Sequence, residues 1–238
     1  MIQRRLVACY FGDSPDWARL AKVLEFSARR HCIGWDIEVR RIDAPPPTHR
    51  LSANKNGNTR KLDWWTDRVE QAEDGSPLLL IDTDTMVLGP LDEAWSEEFD
   101  FAYTVKGGRF PFNAGVVFVR VSDSVRAFMR LWREENRRMF EDSRYHAPWY
   151  RRFGGLNQAA LGKMLTESVA ASMGAKLGTL PCSTWNCENA TWADFKSGAT
   201  RIVHLKNGLR LAALATGAGS TKLMPLVRIW RAMEREAR

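Results

Sequence analysis

The 238-residue sequence contains no apolar stretch that approaches the roughly 20 residues a helix needs to cross a lipid bilayer. Its first five residues, Met1 to Arg5, lack the apolar segment and the small-residue cleavage site of a secretory signal, so we expect a cytoplasmic protein. No repeat of fixed period and no low-complexity segment occurs. Hydrophobic residues make up 45% and charged residues 26% of the chain, which is typical of a soluble globular protein and not of a disordered or fibrous one.

Cysteine is scarce and is not arranged for metal binding. The four cysteines, Cys9, Cys32, Cys182 and Cys187, form no C-x-x-C pair and have no histidine at zinc-binding spacing. The pattern favours free thiols. A disulfide between Cys182 and Cys187 is the alternative.

Several common nucleotide-binding and hydrolytic motifs are missing. Gly12 stands alone after the first apolar segment, where a Rossmann dehydrogenase has a glycine-rich fingerprint. The chain has no P-loop and no G-x-S-x-G elbow. These absences argue against a dehydrogenase, a P-loop nucleotidase and an α/β-hydrolase.

The charge balance is basic. Lys and Arg number 35 against 28 Asp and Glu, which gives a formal net charge of +7. Such a charge permits an anionic partner, whether a nucleotide, a nucleic acid or an acidic membrane. Arginine is spread along the whole chain, so a solvated surface rich in arginine explains the charge equally well. The ten tryptophans are scattered and do not interleave with basic residues as in a nucleic-acid stacking platform, so nucleic-acid binding is kept only as an alternative.

Apolar segments and helical patterns alternate, which indicates an α/β protein. Strands are predicted at Arg5–Phe11 and at 37–42, 78–81, 99–104, 115–121 and 201–205. Helices are predicted after the Ser14-Pro15 start signal and at 61–72, 122–140, 156–165 and 223–237. Residues 48–60 are polar and indicate a loop, and 177–198 show no regular pattern. We expect one domain over 1–238, with a twisted, mostly parallel sheet, helices on both faces, and 209–238 as a C-terminal helical extension.

The strongest chemical signal follows the apolar run at 78–81, where Asp82 and Asp84 flank Thr83. Residues i and i+2 of an extended chain point to the same side, so the two carboxylates converge. They do so at the carboxyl end of a strand, where open α/β sheets bind ligands. Two oxygen donors suit Mg²⁺ or Mn²⁺ holding substrate phosphates. The alternatives are a strand-end pair that caps backbone amides, and the metal site of a nucleotidyltransferase or phosphatase.

Four segments, in order along the chain, carry a family resemblance. They are the D-x-D run at 80–88, the N-A-G segment at 112–118, the L-P and W-N segment at 180–186, and the histidine loop at 204–208. Together they resemble GT-A fold glycosyltransferases, above all the family-8-like branch of glycogenin- and galactosyltransferase-like enzymes. The resemblance covers residues 5 to 208.

The resemblance implies a metal-dependent transfer from a nucleotide-diphosphate sugar, with UDP-sugar the expected donor, to an acceptor hydroxyl with retention. Asp82 and Asp84 would hold Mn²⁺ or Mg²⁺, His204 would be the third metal ligand, and Lys206 would lie beside the leaving diphosphate. The acceptor would be a carbohydrate, a lipid-linked sugar or another hydroxyl compound. A modified nucleic acid is the alternative acceptor that the basic charge allows.

The resemblance also implies a set of donor-binding residues. They are Tyr10, Phe11 and Gly12 at the base and ribose, Asn113, Ala114 and Gly115 at the donor sugar, and Lys61, Thr83 and Gly208 elsewhere around the donor. Asn157 and Gln158 stand where the family usually has Asp-Gln. Since an amide cannot act as a base or nucleophile, we expect these two side chains to position sugar or acceptor by hydrogen bonds, which suits a front-face route.

The last segment has an apolar stripe of Leu223, Leu226, Val227, Trp230 and Met233 with arginines elsewhere on the helix. Such a helix can dock its stripe on the domain or lie on anionic lipid. We expect docking, with at most peripheral membrane contact.

Overall fold

The computed structural model describes residues 3–43, 53–215 and 223–238. The strands are β1 (Arg5–Phe11), β2 (Asp36–Ile42), β3 (Pro77–Ile81), β4 (Thr85–Val87), β5 (Phe101–Val105), β6 (Phe112–Arg120), β7 (Leu177–Pro181) and β8 (Ile202–His204). The helices are α1 (Pro15–His31), α2 (Ala53–Gln71), α3 (Asp123–Glu141), α4 (Ser143–Phe153), α5 (Asn157–Thr166), α6 (Val169–Ser172), α7 (Cys182–Trp185), α8 (Asn207–Leu214) and α9 (Met224–Glu236). Short 3₁₀ helices lie at Asp92–Ser96 and Trp192–Asp194.

Six of the strands in the described ranges form one sheet, in the order β2-β1-β3-β6-β5-β7. Strand β6 runs antiparallel to its neighbours β3 and β5, while β1 pairs in parallel with β2 and β3, and β5 with β7. The sheet is therefore mostly parallel, as predicted, and the carboxyl ends of five strands lie along one edge. Strands β4 and β8 pair separately, with Thr85 opposite His204.

Both faces of the sheet are covered. Leu78 and Leu80 of β3 pack into one apolar cluster with side chains of α2, α3 and α5. Leu79 and Ile81 point the other way, into a second cluster that includes Leu24 of α1. This alternation explains why β3 is apolar at every position. The prediction of helices on both faces is confirmed.

The predicted loop at 48–60 is wrong from residue 53 onward, because α2 already begins at Ala53. Residues 48–52 lie outside the described residues. The asparagine- and glycine-rich first turns are helical despite their low propensity, since tertiary contacts support them. A side chain at Gly57 would lie 3.5 Å from the Phe11 ring, and the Asn58 carbonyl accepts a hydrogen bond from the Asn157 amide at 2.9 Å.

The segment predicted as irregular, 177–198, contains β7 and α7. Strand β7 lies at the sheet edge and pairs in parallel with β5, from Phe101 opposite Leu177 to Val105 opposite Pro181. Its side chains are mostly exposed, so no apolar run marks it in the sequence. The four cysteines are free and buried, in agreement with the predicted free thiols.

Helix α9 docks its apolar stripe. Leu226, Val227 and Trp230 are buried in a cluster with Leu20 and Val23 of α1. The docked arrangement expected for this helix is confirmed. Among the described helices, none has the length and hydropathy of a membrane span.

Candidate functional site

Two carboxylates lie at the carboxyl end of β3. The Asp82 amide donates to the Gly115 carbonyl at 2.8 Å, which continues the pairing with β6. The Thr83 hydroxyl donates to the Cys9 carbonyl at 2.7 Å and anchors this residue on β1. Asp84 leads directly into β4. The predicted convergence of Asp82 and Asp84 is what the structure shows, since both lie within reach of one histidine.

That histidine is His204, the last residue of β8. Its Nε2 atom lies 3.1 Å from Asp84 Oδ1 and 3.6 Å from Asp82 Oδ2. Among the described residues, Asp82, Asp84 and His204 form one group whose donor atoms all lie within 4.8 Å of one another. The His204 ring is almost fully buried, with 1% of its surface exposed.

Asn186 sets the orientation and tautomer of the His204 ring. The Asn186 amide nitrogen donates to Thr104 Oγ1 at 2.8 Å, so its carbonyl oxygen faces His204 Nδ1 at 3.0 Å. An amide oxygen only accepts, so His204 carries a proton on Nδ1. In the neutral ring the lone pair of Nε2 then faces two carboxylates. That contact is repulsive unless a cation or a proton lies between them, which makes the three groups a fitting ligand set for a divalent metal.

Gly115 of β6 leaves the space that this ligand set needs. A Cβ atom at this position would lie 2.5 Å from Asp82 Oδ2 and 2.5 Å from His204 Cε1. Only a residue without a side chain allows the carboxylate and the imidazole to meet above the strand. Two carboxylates and an imidazole are ligands that suit Mn²⁺, and the oxygens suit Mg²⁺ as well.

Cations surround the two carboxylates. The Lys61 ammonium donates to Asp82 Oδ1, and Arg210 Nη1 donates to Asp84 Oδ2 at 2.9 Å. Burial raises the pKa of Asp84, but in the metal-free site, with a proton between His204 Nε2 and the carboxylate, His204 and Arg210 outweigh burial and bring this pKa down to about 2. Asp84 is therefore ionised at neutral pH.

Lys206 differs from the other two cations. Within the described ranges its ammonium forms no salt bridge or hydrogen bond, although it interacts electrostatically with Asp82, Glu188 and Asp84. Burial lowers the pKa of Lys206 below the usual lysine value, against the opposing effect of these acids. A half-buried cation of this kind has the charge and the freedom to bind an incoming anion.

A cleft of about 800 Å³ opens over these groups. Nine residues singled out in the sequence line it: Tyr10, Phe11, Lys61, Asp82, Thr83, Asp84, Gln158, His204 and Lys206. The cleft thus brings together the aromatic end of β1, the acids after β3 and the basic residues around α8.

Other residues singled out in the sequence lie behind or beside the cleft lining. They are Gly12, whose amide donates to the Ile42 carbonyl, the buried β6 residues Asn113, Ala114 and Gly115, the buried Asn157, and the exposed Gly208 of α8. Asn113 Oδ1 accepts from the Gly115 amide at 2.8 Å, so this side chain supports the strand on which the acids and His204 rest. Asn157 donates to the Asn58 carbonyl and ties α5 to the first turns of α2.

Several residues that line the cleft were not predicted from the sequence. Among them are Trp17, Lys106, Phe110, Glu188 and Arg210. Lys106 follows the carboxyl end of β5 as Asp82 follows that of β3, so the same strand-end rule could have found it. Glu188 and Arg210 carry no comparable local signal.

No protein-family model matches the sequence. No curated protein is significantly similar to it in sequence.

Solved structures share the fold. A glycosyltransferase involved in the glycosylation of the major capsid of PBCV-1 superposes with a TM-score of 0.59 at 16% identity, over 87% of this chain and 95% of that chain. The glycosyltransferase GlyE of Streptococcus pneumoniae TIGR4 gives 0.61 at 13% identity, over 99% of this chain and 63% of that longer chain. The galactosyltransferase LgtC, solved with donor and acceptor sugar analogs, gives 0.56 at 11% identity, over 98% of this chain and 95% of that chain. The chain has the fold of these glycosyltransferases, and the predicted GT-A-like α/β architecture is confirmed.

Proposed function

We propose that the chain is a metal-dependent glycosyltransferase that moves a sugar from a nucleotide-diphosphate sugar to the hydroxyl of a carbohydrate acceptor. The observation that carries this proposal is the group of Asp82, Asp84 and His204, in which His204 Nε2 faces both carboxylates in the cleft. The shared fold supports the same reaction class.

The donor would lie along the edge of the sheet. Tyr10 and Phe11 line the cleft at the end of β1 and offer aromatic surface for the base and ribose. Asp82, Asp84 and His204 would hold Mn²⁺ or Mg²⁺, which when bound neutralises charge on the diphosphate. Lys206 would bind the diphosphate as it leaves, because its ammonium is half-buried and forms no salt bridge with a carboxylate in the part of the chain that the structure describes. UDP-sugar is the donor that the family resemblance favours.

The acceptor would meet the donor on the side lined by Gln158. The Gln158 amide nitrogen donates to the Phe153 carbonyl, so its oxygen is the end that can accept from a sugar hydroxyl. Asn157 cannot act as a nucleophile and is occupied by Asn58. We therefore propose retention by a front-face route, in which leaving phosphate and acceptor share one side of the sugar.

The test is thermal stabilisation by nucleotides with and without Mn²⁺. A ligand that binds only the native state at about 100 times its Kd stabilises it by about 2.7 kcal/mol. We expect UDP to raise the melting temperature with Mn²⁺ and to have little effect with chelator, and GDP and ADP to do less.

Asp84→Ala should abolish this metal-dependent stabilisation and the transfer reaction while the protein stays folded. Asp74→Ala is a matched control, because Asp74 pairs with Arg126 on the surface outside the cleft. The proposed function would be overturned if Asp84→Ala kept the metal-dependent stabilisation. It would also be overturned if no nucleotide stabilised the unaltered protein in the presence of Mn²⁺.

A further inference from the structure

A buried ion pair lies in the cleft, separate from the proposed metal-binding group of Asp82, Asp84 and His204. Lys106 and Glu188 form a salt bridge, with 9% and 1% of their side chains exposed. We propose that this pair is the donor-sugar subsite and that Glu188 selects a neutral hexose by accepting hydrogen bonds from its hydroxyls. This inference rests on the proposed function and names the class of sugar.

The order of the strands places the pair at the sugar end of the donor. Tyr10 and Phe11 end β1, the acids follow β3, and Lys106 follows β5, all at the same edge of the sheet. Neighbouring strands lie about 4.8 Å apart, so β5 is about 10 Å beyond β3, on the side away from β1. Along this edge the aromatic residues come first, then the acids, then the ion pair. The base, the diphosphate and the sugar follow in the same order in a nucleotide-diphosphate sugar.

The chain segment that orients His204 also holds Glu188. Asn186 binds the imidazole, and Cys187 pairs by backbone hydrogen bonds with Ile202 and His204 of β8. The Glu188 amide donates to Thr191 Oγ1 at 3.0 Å, and the Thr191 amide donates back to the Glu188 carbonyl at 2.7 Å. Glu188 is therefore placed rigidly with respect to the metal-binding group.

Stability does not explain a buried pair at this position. Taking two charges out of water costs about as much as their attraction returns, so a buried salt bridge is weak support for a fold. Here both residues belong to the lining of the cleft, and the Lys106 ammonium covers the Glu188 carboxylate, so a sugar hydroxyl would reach the carboxylate in the place that the ammonium holds in this structure. A carboxylate offers two oxygens that accept from neighbouring hydroxyls, and the ammonium has further protons to donate to sugar oxygens.

The charge of the pair favours a neutral sugar. Lys106 already compensates Glu188, and Lys206, which also interacts electrostatically with Glu188, is assigned to the diphosphate. A second carboxylate, as in a uronic acid, would therefore meet the Glu188 oxygens with no cation left to pair with it. A hexose with hydroxyls only would satisfy both partners. The subsite therefore accepts a neutral hexose and disfavours a uronate.

The experiment compares UDP, UDP-glucose, UDP-galactose and UDP-glucuronic acid by titration calorimetry with Mn²⁺. The unaltered protein should bind one UDP-hexose about tenfold or more tightly than UDP, as expected for hydrogen bonds to a charged group. UDP-glucuronic acid should bind no more tightly than UDP. Glu188→Gln should bind the UDP-hexose no more tightly than UDP, while its affinity for UDP stays within about twofold of that of the unaltered protein.

Two further variants separate sugar recognition from folding. Glu188→Asp keeps a carboxylate and should retain part of the preference for UDP-hexose over UDP. Glu135→Gln is the control. Glu135 also forms a partly buried salt bridge with a lysine, Lys163, but lies outside the cleft, so this variant should leave the ratio of the affinities for UDP-hexose and UDP unchanged.

The outcomes distinguish the two proposals. Failure of UDP to bind with Mn²⁺ would overturn the proposed function and this inference together. Three results would overturn the inference alone, while UDP still binds with Mn²⁺. Glu188→Gln could still bind the UDP-hexose more tightly than UDP, the protein could prefer UDP-glucuronic acid, or the substitution could weaken the binding of UDP and UDP-hexose equally.

Discussion

The two oxygens of the Asp84 carboxylate have different partners. One oxygen faces His204 Nε2 at 3.1 Å and the other accepts from Arg210 Nη1 at 2.9 Å. Asn186 turns the imidazole so that Nε2 faces the acids. Arg210 thus binds the Asp84 oxygen that does not face His204, and Asp84 would hold a metal ion with the other oxygen.

The Asp84 pairing predicts a pH-dependent difference in stability between the metal-free protein and Asp84→Asn. The pKa of Asp84 falls from 3.8 to about 2 on folding, so the unfolded chain takes up the proton first as the pH falls. The stabilisation by this carboxylate is thus complete above about pH 4 and is lost as the pH falls toward 2. The difference between the two pKa values corresponds to about 2 kcal/mol of free energy of unfolding.

Urea unfolding in the presence of chelator, repeated from pH 5 to pH 2, measures this difference. The free energy of unfolding of the unaltered protein should fall more steeply than that of Asp84→Asn over the acid part of the range. A difference between the two proteins that stays constant across the range would show that the His204 and Arg210 contacts do not stabilise the charged carboxylate.

At the scale of elements, β6 matters because it is the antiparallel strand inserted between β3 and β5. Its Gly115 carbonyl accepts from the Asp82 amide, and its missing side chain makes room for Asp82 and His204. The N-A-G segment therefore supports the candidate metal ligands Asp82 and His204, while the family resemblance assigns this segment to the donor sugar. Its contact with the sugar stays a prediction.

Gly115→Ala should weaken Mn²⁺ binding by about 10- to 100-fold, the range typical of altered support around metal ligands. The added methyl group would lie 2.5 Å from Asp82 Oδ2 and must push the carboxylate or the imidazole aside. We also expect a loss of about 1–3 kcal/mol in the free energy of unfolding, because the site is closely packed.

Gly107→Ala is the matched control for this experiment. An added Cβ at Gly107 meets no atom within 4 Å, so Mn²⁺ affinity measured by calorimetry should be unchanged. If Gly115→Ala bound Mn²⁺ as tightly as this control, the glycine would have no role in the metal site.

On the scale of the whole molecule, α9 closes the chain back onto α1. The Trp230 ring is fully buried, and the Arg19 guanidinium lies 5.5 Å from its centroid. Arg19 also donates to Glu234 at 2.6 Å, so the same contact joins apolar and charged surfaces of the two helices. The apolar stripe is therefore occupied within the protein, and strong insertion of α9 into lipid is not expected.

Trp230→Ala should lower the free energy of unfolding by about 3–5 kcal/mol, the usual cost of removing a large buried aromatic side chain. Ile33→Ala is the control, because Ile33 is a large apolar residue with 81% of its surface exposed and should change stability little. Denaturant unfolding of both variants tests this. Equal, small effects would mean that α9 is not an integral part of the folded core.

Local patterns in the sequence determine the elements that lie closest to the metal-binding group. The boundaries predicted for β1 agree with the structure, and the apolar run of β3 ends directly before Asp82. The chain bends at Thr83 and Asp84, so the two carboxylates converge through this bend and not through the extended chain that the sequence predicted. Such patterns are readable because neighbouring residues alone set the alternation of buried and exposed positions. The start of α2 and the strand β7 were missed since tertiary contacts, and not propensity or apolar periodicity, support them.

The tertiary structure decides which distant residues meet. Asp84 and His204 are separated by 120 positions and Lys106 and Glu188 by 82, yet each pair is in direct contact at the edge of the sheet. Only the family resemblance pointed to His204 from the sequence, and nothing local marked Arg210 or Glu188. Their positions follow from the pairing of β4 with β8 and of β5 with β7, because strand pairing brings together residues whose own neighbours carry no sign of the partner. The sequence thus places the acids directly after their strand, and the packing of the described chain brings the imidazole, the guanidinium and the buried ion pair around them.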